Sequence, residues 1–513
     1  MANEKSPIFG EAQYTQVSDD AFVTPFQAVI EKDDVAEEPK LQQTIGLVSG
    51  SALVAGLMTG SGIFSTPGLT LTLMGSPGAT LIMWLLGAGI TFCGAACYIE
   101  LGTLFPKSGG DQLYLDSIFR NPRGLMGFLF TFIFLLCVEP GSIAANATVF
   151  GEYILYAALG PKSRITDPYI LDNLGWLQRA IGILGVTVAF GMSMFSIKWA
   201  LRFQTAFTWL KITVLALISV SGLVVISGVT HVPMSSLWSH PFRGTTTVQQ
   251  VCSTLFRVLW AYDGFKGLNF CLGEVKNPQR NLILCSSFGT GLVTIFYALT
   301  VVSLFSVVSM EEAQTSQELL AGLWGTKVFG SIFGEVVIPV AVAISCLGST
   351  AANVFPFSRV IVEASSLGYI PYGRYWSRIH PRFGTPLLGL CLGYAVTIVY
   401  LLAPPPGEVF SLLIDIVGYP NWLFTGITIT GLVYFRYVEP SLHRPFRVWL
   451  PLGYMYMVVA VFLSVIPFVP PANGKIISNH GVPYYIAPLV AVIVVLLGFP
   501  TWYFQFYRRQ CKK

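Results

Sequence analysis

The sequence predicts an all-α membrane protein with twelve transmembrane helices. Of its 513 residues, 53% are apolar and only 11% carry a charge, whereas about 25% of residues are charged in an ordinary globular chain. Apolar segments of about 20 residues, enough to cross about 30 Å of hydrocarbon, recur from Thr44 onward. Backbone groups in lipid need internal hydrogen bonds, and long unalternating apolar runs do not suit barrel strands, so helices are predicted. The composition excludes a soluble multidomain enzyme.

The twelve predicted spans are separated by short polar breaks. Polar tails are expected at 1–43 and 508–513, on either side of a helical domain at 44–507. No basic segment followed by an apolar one opens the chain, so no cleavable signal peptide is predicted. The approximate limits of the spans are 45–74, 79–104, 125–157, 178–195, 203–227, 248–273, 281–307, 329–366, 386–402, 409–435, 448–467 and 483–507.

Basic residues in the loops predict that both termini are cytoplasmic. With an inside N-terminus, the cytoplasmic loops hold Lys107, Arg120, Arg123, Lys198, Arg202, Lys276, Arg280, Arg374, Arg378, Arg382, Arg436, Arg444 and Arg447. The opposite loops hold Lys162, Arg164, Arg243, Lys327 and Lys475. Cytoplasmic loops of membrane proteins are enriched in Lys and Arg, so this asymmetry supports twelve spans.

Spans 1 and 6 are predicted to be broken helices. Span 1 contains Gly60-Ser-Gly-Ile-Phe-Ser-Thr-Pro67, and span 6 contains Trp260-Ala-Tyr-Asp-Gly-Phe-Lys-Gly267. Each Gly costs about 1 kcal/mol of helix propensity and each Pro about 3 kcal/mol. Interruptions at corresponding positions of two five-helix halves mark the binding sites of membrane transporters. The alternative is that these glycines only allow close helix packing.

An unwound turn inside the membrane suits a small zwitterion. One half-helix presents backbone N–H groups, and the other presents backbone C=O groups. A carboxylate is therefore expected on the amides of Gly60, Ser61 and Gly62, and an ammonium on carbonyls of spans 1 and 6.

Four motifs identify the chain as similar to the amino acid–polyamine–organocation superfamily, in its L-type amino acid transporter branch. They are Gly60-Ser-Gly-Ile-Phe-Ser-Thr-Pro67, Cys97-Tyr-Ile-Glu-Leu-Gly102, Pro106-Lys-Ser-Gly-Gly110, and Leu268-Asn-Phe with Glu274-Val-Lys-Asn-Pro278. The segments Leu402-Ala-Pro-Pro-Pro-Gly407 and Pro467-Phe-Val-Pro-Pro-Ala-Asn-Gly474 most resemble the fungal high-affinity methionine permeases. The similarity runs from about Gln43 to about Tyr507.

The resemblance implies a five-plus-five inverted repeat (LeuT-like) with two additional C-terminal helices and alternating access around one amino acid site. The first repeat would cover 45–227, the second 248–435, and helices 11 and 12 would lie in 448–507. The implied substrate contacts are Met58, Thr59, Gly60, Ser61, Gly62, Trp260, Ala261, Asp263 and Asn421. Trp260 stands where the family has an aromatic residue that closes over the substrate, and its ring could pack on a thioether.

Lys211 in span 5 is the strongest candidate for proton coupling. In sodium-independent relatives, a lysine here places its ammonium where sodium-coupled relatives bind an ion, and Ser345 and Ser349 would supply nearby hydroxyls. A buried amine loses its proton more readily than an exposed one, so Lys211 could load and release a proton. The alternative is a permanent structural ammonium. Glu139 in span 3 is a second candidate, and the role of Lys266 stays open.

Several partners and chemistries are not expected. Residues 160–177 contain no Cys, which argues against a disulfide-linked heavy subunit. No cofactor, metal site, nucleic acid partner or enzyme activity is predicted, because no nucleophile motif or ligand cluster occurs. Lys5, Lys32 and Lys40 in the N-terminal tail could accept ubiquitin for regulated trafficking; an ordinary solvated tail is the alternative.

The expected function is uptake of methionine or related large neutral L-amino acids across the plasma membrane, coupled to protons and independent of sodium. Exchange of one amino acid for another is the nearest alternative. A sensor that binds an amino acid without transporting it is an alternative from a different class.

Overall fold

The computed structural model describes residues 43–161, 164–195, 197–242, 246–381, 383–404, 409–470, 483 and 485–504. These residues form α-helices with short 3₁₀ and π segments and one isolated parallel bridge between Ile45 and Val275. The α-helices are α1 (Leu47–Met58), α2 (Gly62–Met74), α3 (Pro77–Leu104), α4 (Asp111–Ile118), α5 (Leu125–Ile133), α6 (Glu139–Leu159), α7 (Pro168–Phe195), α8 (Ile197–Ile226), α9 (Val248–Tyr262), α10 (Gly267–Phe270), α11 (Pro278–Val307), α12 (Met310–Ser316), α13 (Leu320–Phe329), α14 (Ile338–Ser366), α15 (Gly373–Trp376), α16 (Leu387–Leu402), α17 (Val409–Val438), α18 (Leu450–Val465) and α19 (Ile486–Trp502).

The prediction of an all-helical membrane protein is confirmed. Within the described residues, nine helical segments are long and apolar enough to cross a membrane. The other three predicted spans correspond to shorter elements: α16, α19 and the interrupted segment formed by α9 and α10.

Four of the helical segments are interrupted. A non-helical turn at 59–61 separates α1 from α2, and a longer one at 263–266 separates α9 from α10. Pro67 lies inside α2 rather than at the break, so the glycines mark the interruption more closely than the proline does. Two π-helical turns, Phe134–Val138 and Phe333–Val337, lead directly into α6 and α14.

The interrupted segments pack around the centre of the domain. Helix α6 contacts α14, α7 and α17, while α1 contacts α11, α8 and α14, and α2 contacts α9. This packing brings the two non-helical turns and the first π turn around one interior space.

Several charged side chains on different helical segments are paired. Arg359 lies 2.8 Å from Glu274, and Arg164 lies 2.6 Å from Glu335. Glu100 accepts hydrogen bonds from the Arg436 guanidinium and from the Val448 backbone N–H. These contacts join sequence-distant helices, and none of them lies in the interior space.

Several sequence-based predictions fall outside the described residues. They include the N-terminal tail with Lys5, Lys32 and Lys40, and the C-terminal tail at 508–513.

Candidate functional site

The two interrupted segments line a common cavity. Seven of the nine predicted substrate contacts line it: Met58, Gly60, Ser61, Gly62, Trp260, Asp263 and Asn421. Thr59 and Ala261 do not line it. The remaining lining residues are Leu57, Phe134, Val138, Glu139, Ser142, Asn146, Gly264, Lys266, Gly267, Phe270, Asn353 and Pro356.

The backbone amides next to the break between α1 and α2 differ in whether they are paired. The N–H of Gly60 donates to the Met58 carbonyl at 2.9 Å, and the N–H of Ser61 donates to Asn146 Oδ1 at 3.2 Å. Among the described residues, no acceptor meets the N–H groups of Gly62 and Ile63. Of the three amides that the sequence suggested, only that of Gly62 is unpaired, and the Ile63 amide follows it at the positive end of the α2 dipole.

Two glycines let the interrupted segments approach each other. A Cβ atom on Gly62 would lie 2.5 Å from the Ala261 Cα atom. Gly264 has φ = 104°, a conformation that favours glycine, and a Cβ there would lie 2.8 Å from the Leu57 carbonyl carbon. Gly62 therefore allows close packing of α2 against α9, which the sequence left open as an alternative, and its own backbone amide is unpaired.

Tyr297 on α11 joins the two interrupted segments. Its hydroxyl lies 2.8 Å from the Met58 carbonyl and 3.0 Å from the Ala261 carbonyl. The Thr59 carbonyl accepts a hydrogen bond from Ser349 at 3.1 Å. The carbonyls of Met58, Thr59 and Ala261 therefore already have partners within the chain. Groups left near the cavity for an ammonium include the carboxyl-terminal end of α9 and the carboxylates of Asp263 and Glu139.

Lys266 is bound on all sides by acceptors. Its Nζ lies 3.3 Å from Asp111 Oδ2, 3.0 Å from Asn421 Oδ1 and 2.8 Å from Thr425 Oγ1. Asp263, three residues earlier in the chain, accepts from Asn421 Nδ2 at 3.2 Å. Lys266 thus fixes the orientation of the Asn421 amide, with its oxygen toward the ammonium and its NH₂ toward Asp263.

Part of the cavity wall is apolar. Phe134 and Val138 reach it from the π turn before α6, and Phe270 and Pro356 reach it from α10 and α14. Trp260 is half-buried, and its ring meets Phe410 edge to face, with 6.4 Å between ring centroids. An apolar side chain could bury its surface here.

Lys211 lies between α1 and α14, behind the cavity. It is almost fully buried, and its Nζ donates to the Gly56 carbonyl at 2.9 Å and to Ser349 Oγ at 2.5 Å. Ser349 in turn donates to the Thr59 carbonyl, so Lys211 is connected to the turn between α1 and α2. The Ser345 hydroxyl is buried without a hydrogen-bond partner in the described part of the chain.

Sequence reasoning missed Asn146 as a cavity residue. Its side chain accepts from Ser61 and donates through Nδ2 to the Ser142 carbonyl at 3.0 Å. A polar amide within an apolar span was the available signal, because such groups are retained in membranes mainly where they have a partner. Tyr297 carried no comparable signal.

The helical membrane domain has a cavity lined by both polar and apolar groups, located between two interrupted helices. These features define a small-molecule membrane transporter. The family model described as amino acid permease matches residues 45–496, and the chain belongs to this family. The resemblance inferred from the motifs is therefore confirmed.

Individual relatives transport different substrates, as their names state. The chain is 29% identical to the high-affinity methionine permease of Saccharomyces cerevisiae, over 89% of this chain and 78% of that protein. It is 31% identical to the mouse (Mus musculus) Asc-type amino acid transporter 1, over 93% and 84%. It is 30% identical to the human (Homo sapiens) cystine/glutamate transporter, over 88% and 86%. Family membership therefore leaves the substrate to be argued from the cavity.

Proposed function

We propose that this protein is a secondary active permease that imports methionine or related large neutral L-amino acids by alternating access. The observation that carries the proposal is the cavity between the interrupted segments, whose lining combines an unpaired backbone amide at the start of α2 with apolar side chains. The similarity to a fungal methionine permease supports the choice of substrate.

The polar end of the cavity fits the amino acid backbone. The carboxylate would accept hydrogen bonds from the N–H groups of Gly62 and Ile63, at the positive end of α2. The ammonium would lie near the end of α9 and the Asp263 carboxylate. Because both ends are provided by non-helical turns, the binding energy comes from groups that an unbroken helix would have hidden.

The apolar wall fits a methionine side chain. Phe134, Val138, Phe270 and Trp260 present carbon atoms where the side chain would extend. A thioether near an aromatic ring gains about 0.3 to 1.5 kcal/mol, in addition to the apolar area that it buries.

Proton coupling is proposed at Lys211, without a sodium requirement. The ammonium occupies the space between α1 and α14, and through Ser349 it reaches the turn that would hold the substrate carboxylate. Loss of its proton would weaken the contacts to Gly56 and Ser349 and so loosen that turn. Substrate binding and proton binding would thereby stabilise the same arrangement.

The proposed architecture has twelve transmembrane helices, with two halves related as an inverted repeat and two further helices, α18 and α19. The breaks in spans 1 and 6 and the π turns before α6 and α14 recur at matching places in the two halves, which supports this arrangement. We further propose a plasma-membrane location with both termini in the cytoplasm, and no disulfide-linked heavy subunit.

Uptake into proteoliposomes tests the function. Purified protein is reconstituted, and labelled methionine uptake is measured with an inward proton gradient, with sodium alone, or with preloaded unlabelled methionine. Accumulation driven by the proton gradient in empty vesicles is the expected result. Uptake only into preloaded vesicles would identify an exchanger instead, and binding without accumulation would identify a sensor.

A further inference from the structure

Glu139 is a charged group of the cavity wall that the proposed function does not use. It is the first residue of α6, immediately after the π turn Phe134–Val138, and only 8% of its surface is exposed. Among the described residues, no donor forms a hydrogen bond with its carboxylate. π turns interrupt helices mainly at functional sites, and this one directs Glu139 into the cavity wall.

The charges around the cavity do not cancel. Among the described residues, two carboxylates and one ammonium line the cavity, those of Glu139, Asp263 and Lys266, and a third carboxylate, that of Asp111, lies 3.3 Å from the ammonium. Asp111 lies nearest to that ammonium, which also has Asn421 and Thr425 as acceptors, so no N–H of Lys266 is left for Glu139. A buried carboxylate without a partner is unfavourable, and a cation from the ligand would remove this cost.

The distance between the start of α2 and Glu139 suits a long side chain. Asn146, which holds the Ser61 N–H, and Glu139 are seven residues apart on α6, so they share one helix face about 10 Å apart. An extended lysine spans about 7 Å from its carboxyl carbon to Nζ, and each hydrogen bond adds about 2.8 Å. A terminal cation can therefore reach Glu139 while the carboxylate lies at the start of α2.

We propose that Glu139 forms a subsite for a cationic side chain. The permease then accepts long basic amino acids, of the lysine, ornithine and arginine class, in addition to large neutral ones. This inference rests on the proposed function, since it assumes that the cavity binds amino acids by their backbone at α2.

Transport of lysine and of methionine by the same proteoliposomes tests the subsite. Labelled lysine is expected to be taken up, and unlabelled lysine is expected to compete with methionine. Glu139→Gln is expected to weaken lysine at least tenfold and to change methionine less than about threefold, while Glu139→Asp retains part of the preference. Glu311→Gln, at an exposed carboxylate of α12, is the matched control and should leave both substrates unchanged.

The outcomes separate this inference from the proposed function. If methionine is taken up but lysine is neither transported nor able to compete with it, the subsite is overturned and the proposed permease function stands. Equal loss of both substrates in Glu139→Gln, or a lost pH dependence at an unchanged lysine-to-methionine ratio, would also overturn it. Absence of uptake for either amino acid would overturn both proposals. Thermal stabilisation of the detergent-solubilised wild type by lysine gives a reading that does not depend on any variant folding.

Discussion

At the scale of single residues, the structure identifies the hydrogen-bond and ion-pair partners of Lys266. The sequence placed a cation, Lys266, near the break in span 6, and the structure pairs it with Asp111, 155 residues away. A charge placed in an apolar interior is stable only with such a partner. The ammonium therefore positions Asn421 and is not free to bind a substrate.

The role proposed for Lys211 predicts the behaviour of Lys211→Ala. Removing the amine should abolish the difference in methionine uptake between acidic and neutral external pH, because the amine is the group proposed to carry the proton. Downhill methionine flux should persist. The measurement is the initial uptake rate at several external pH values, with Lys327→Ala, at a half-exposed lysine of α13, as the control. An unchanged pH profile with normal methionine binding would return Lys211 to a purely structural role.

Trp260→Ala should discriminate between large and small substrates. Loss of the indole removes apolar contact and any sulfur–aromatic attraction, so methionine affinity should fall by about threefold to tenfold. Alanine, which does not reach the ring, should be affected less. Competition assays with both amino acids measure this difference, and Trp449→Ala, at a residue that is 70% exposed, controls for loss of a tryptophan elsewhere. An equal loss for both amino acids would argue against a side-chain contact.

At the scale of helices, local interruptions create the cavity. The turn at 59–61 frees the amides of α2, and the π turn before α6 brings Phe134, Val138 and Glu139 to the same space. In an unbroken α-helix, the α2 amides would donate to carbonyls of the same helix. Without the π turn, Phe134, Val138 and Glu139 would point in other directions. The sequence marked the first interruption through its glycines, but the π turn has no such marker.

Gly62→Val tests the contact between α2 and α9. The added side chain would meet the Ala261 backbone, where even a Cβ atom would lie 2.5 Å from Cα, so the two segments must separate. Methionine binding should be lost, because the amides of Gly62 and Ile63 move with the segment. Binding can be measured as ligand-induced thermal stabilisation. Gly89→Val, on α3 where no atom lies within 4 Å of the added Cβ, should retain binding; retained affinity in Gly62→Val would refute the placement of the substrate carboxylate.

At the scale of the whole molecule, a buried ion pair links the helices around the site to α18. Glu100 on α3 accepts from the Arg436 guanidinium of α17, with Nε at 2.9 Å, and from the Val448 N–H at 2.7 Å. Arg436 also donates to the Val448 carbonyl at 2.6 Å. Because Val448 lies just before α18, this cluster fixes where the C-terminal helices begin.

Arg436→Ala should destabilise the whole protein. Removing Arg436 takes away the nearer of the two cations beside Glu100, because Arg444 Nε lies 3.5 Å from the same carboxylate, and should cost up to about 3 to 5 kcal/mol. Arg164→Ala breaks the pair with Glu335, in which Arg164 is 61% exposed, and should cost no more than about 1 kcal/mol. Thermal unfolding in detergent compares the two variants. Equal melting temperatures for both would contradict a dominant role for the buried pair.

The sequence alone determined the class of protein, the positions of the apolar helices and the break in span 1. These follow from composition, segment length and glycine content, which act locally along the chain. Only the tertiary structure decided which exposed polar groups stay free for a substrate. Asn146, Tyr297 and Ser349 occupy amides and carbonyls from 36 to 290 residues away in the chain. A hydrogen bond between groups so distant in sequence depends on how the helices pack, and no local pattern encodes that packing.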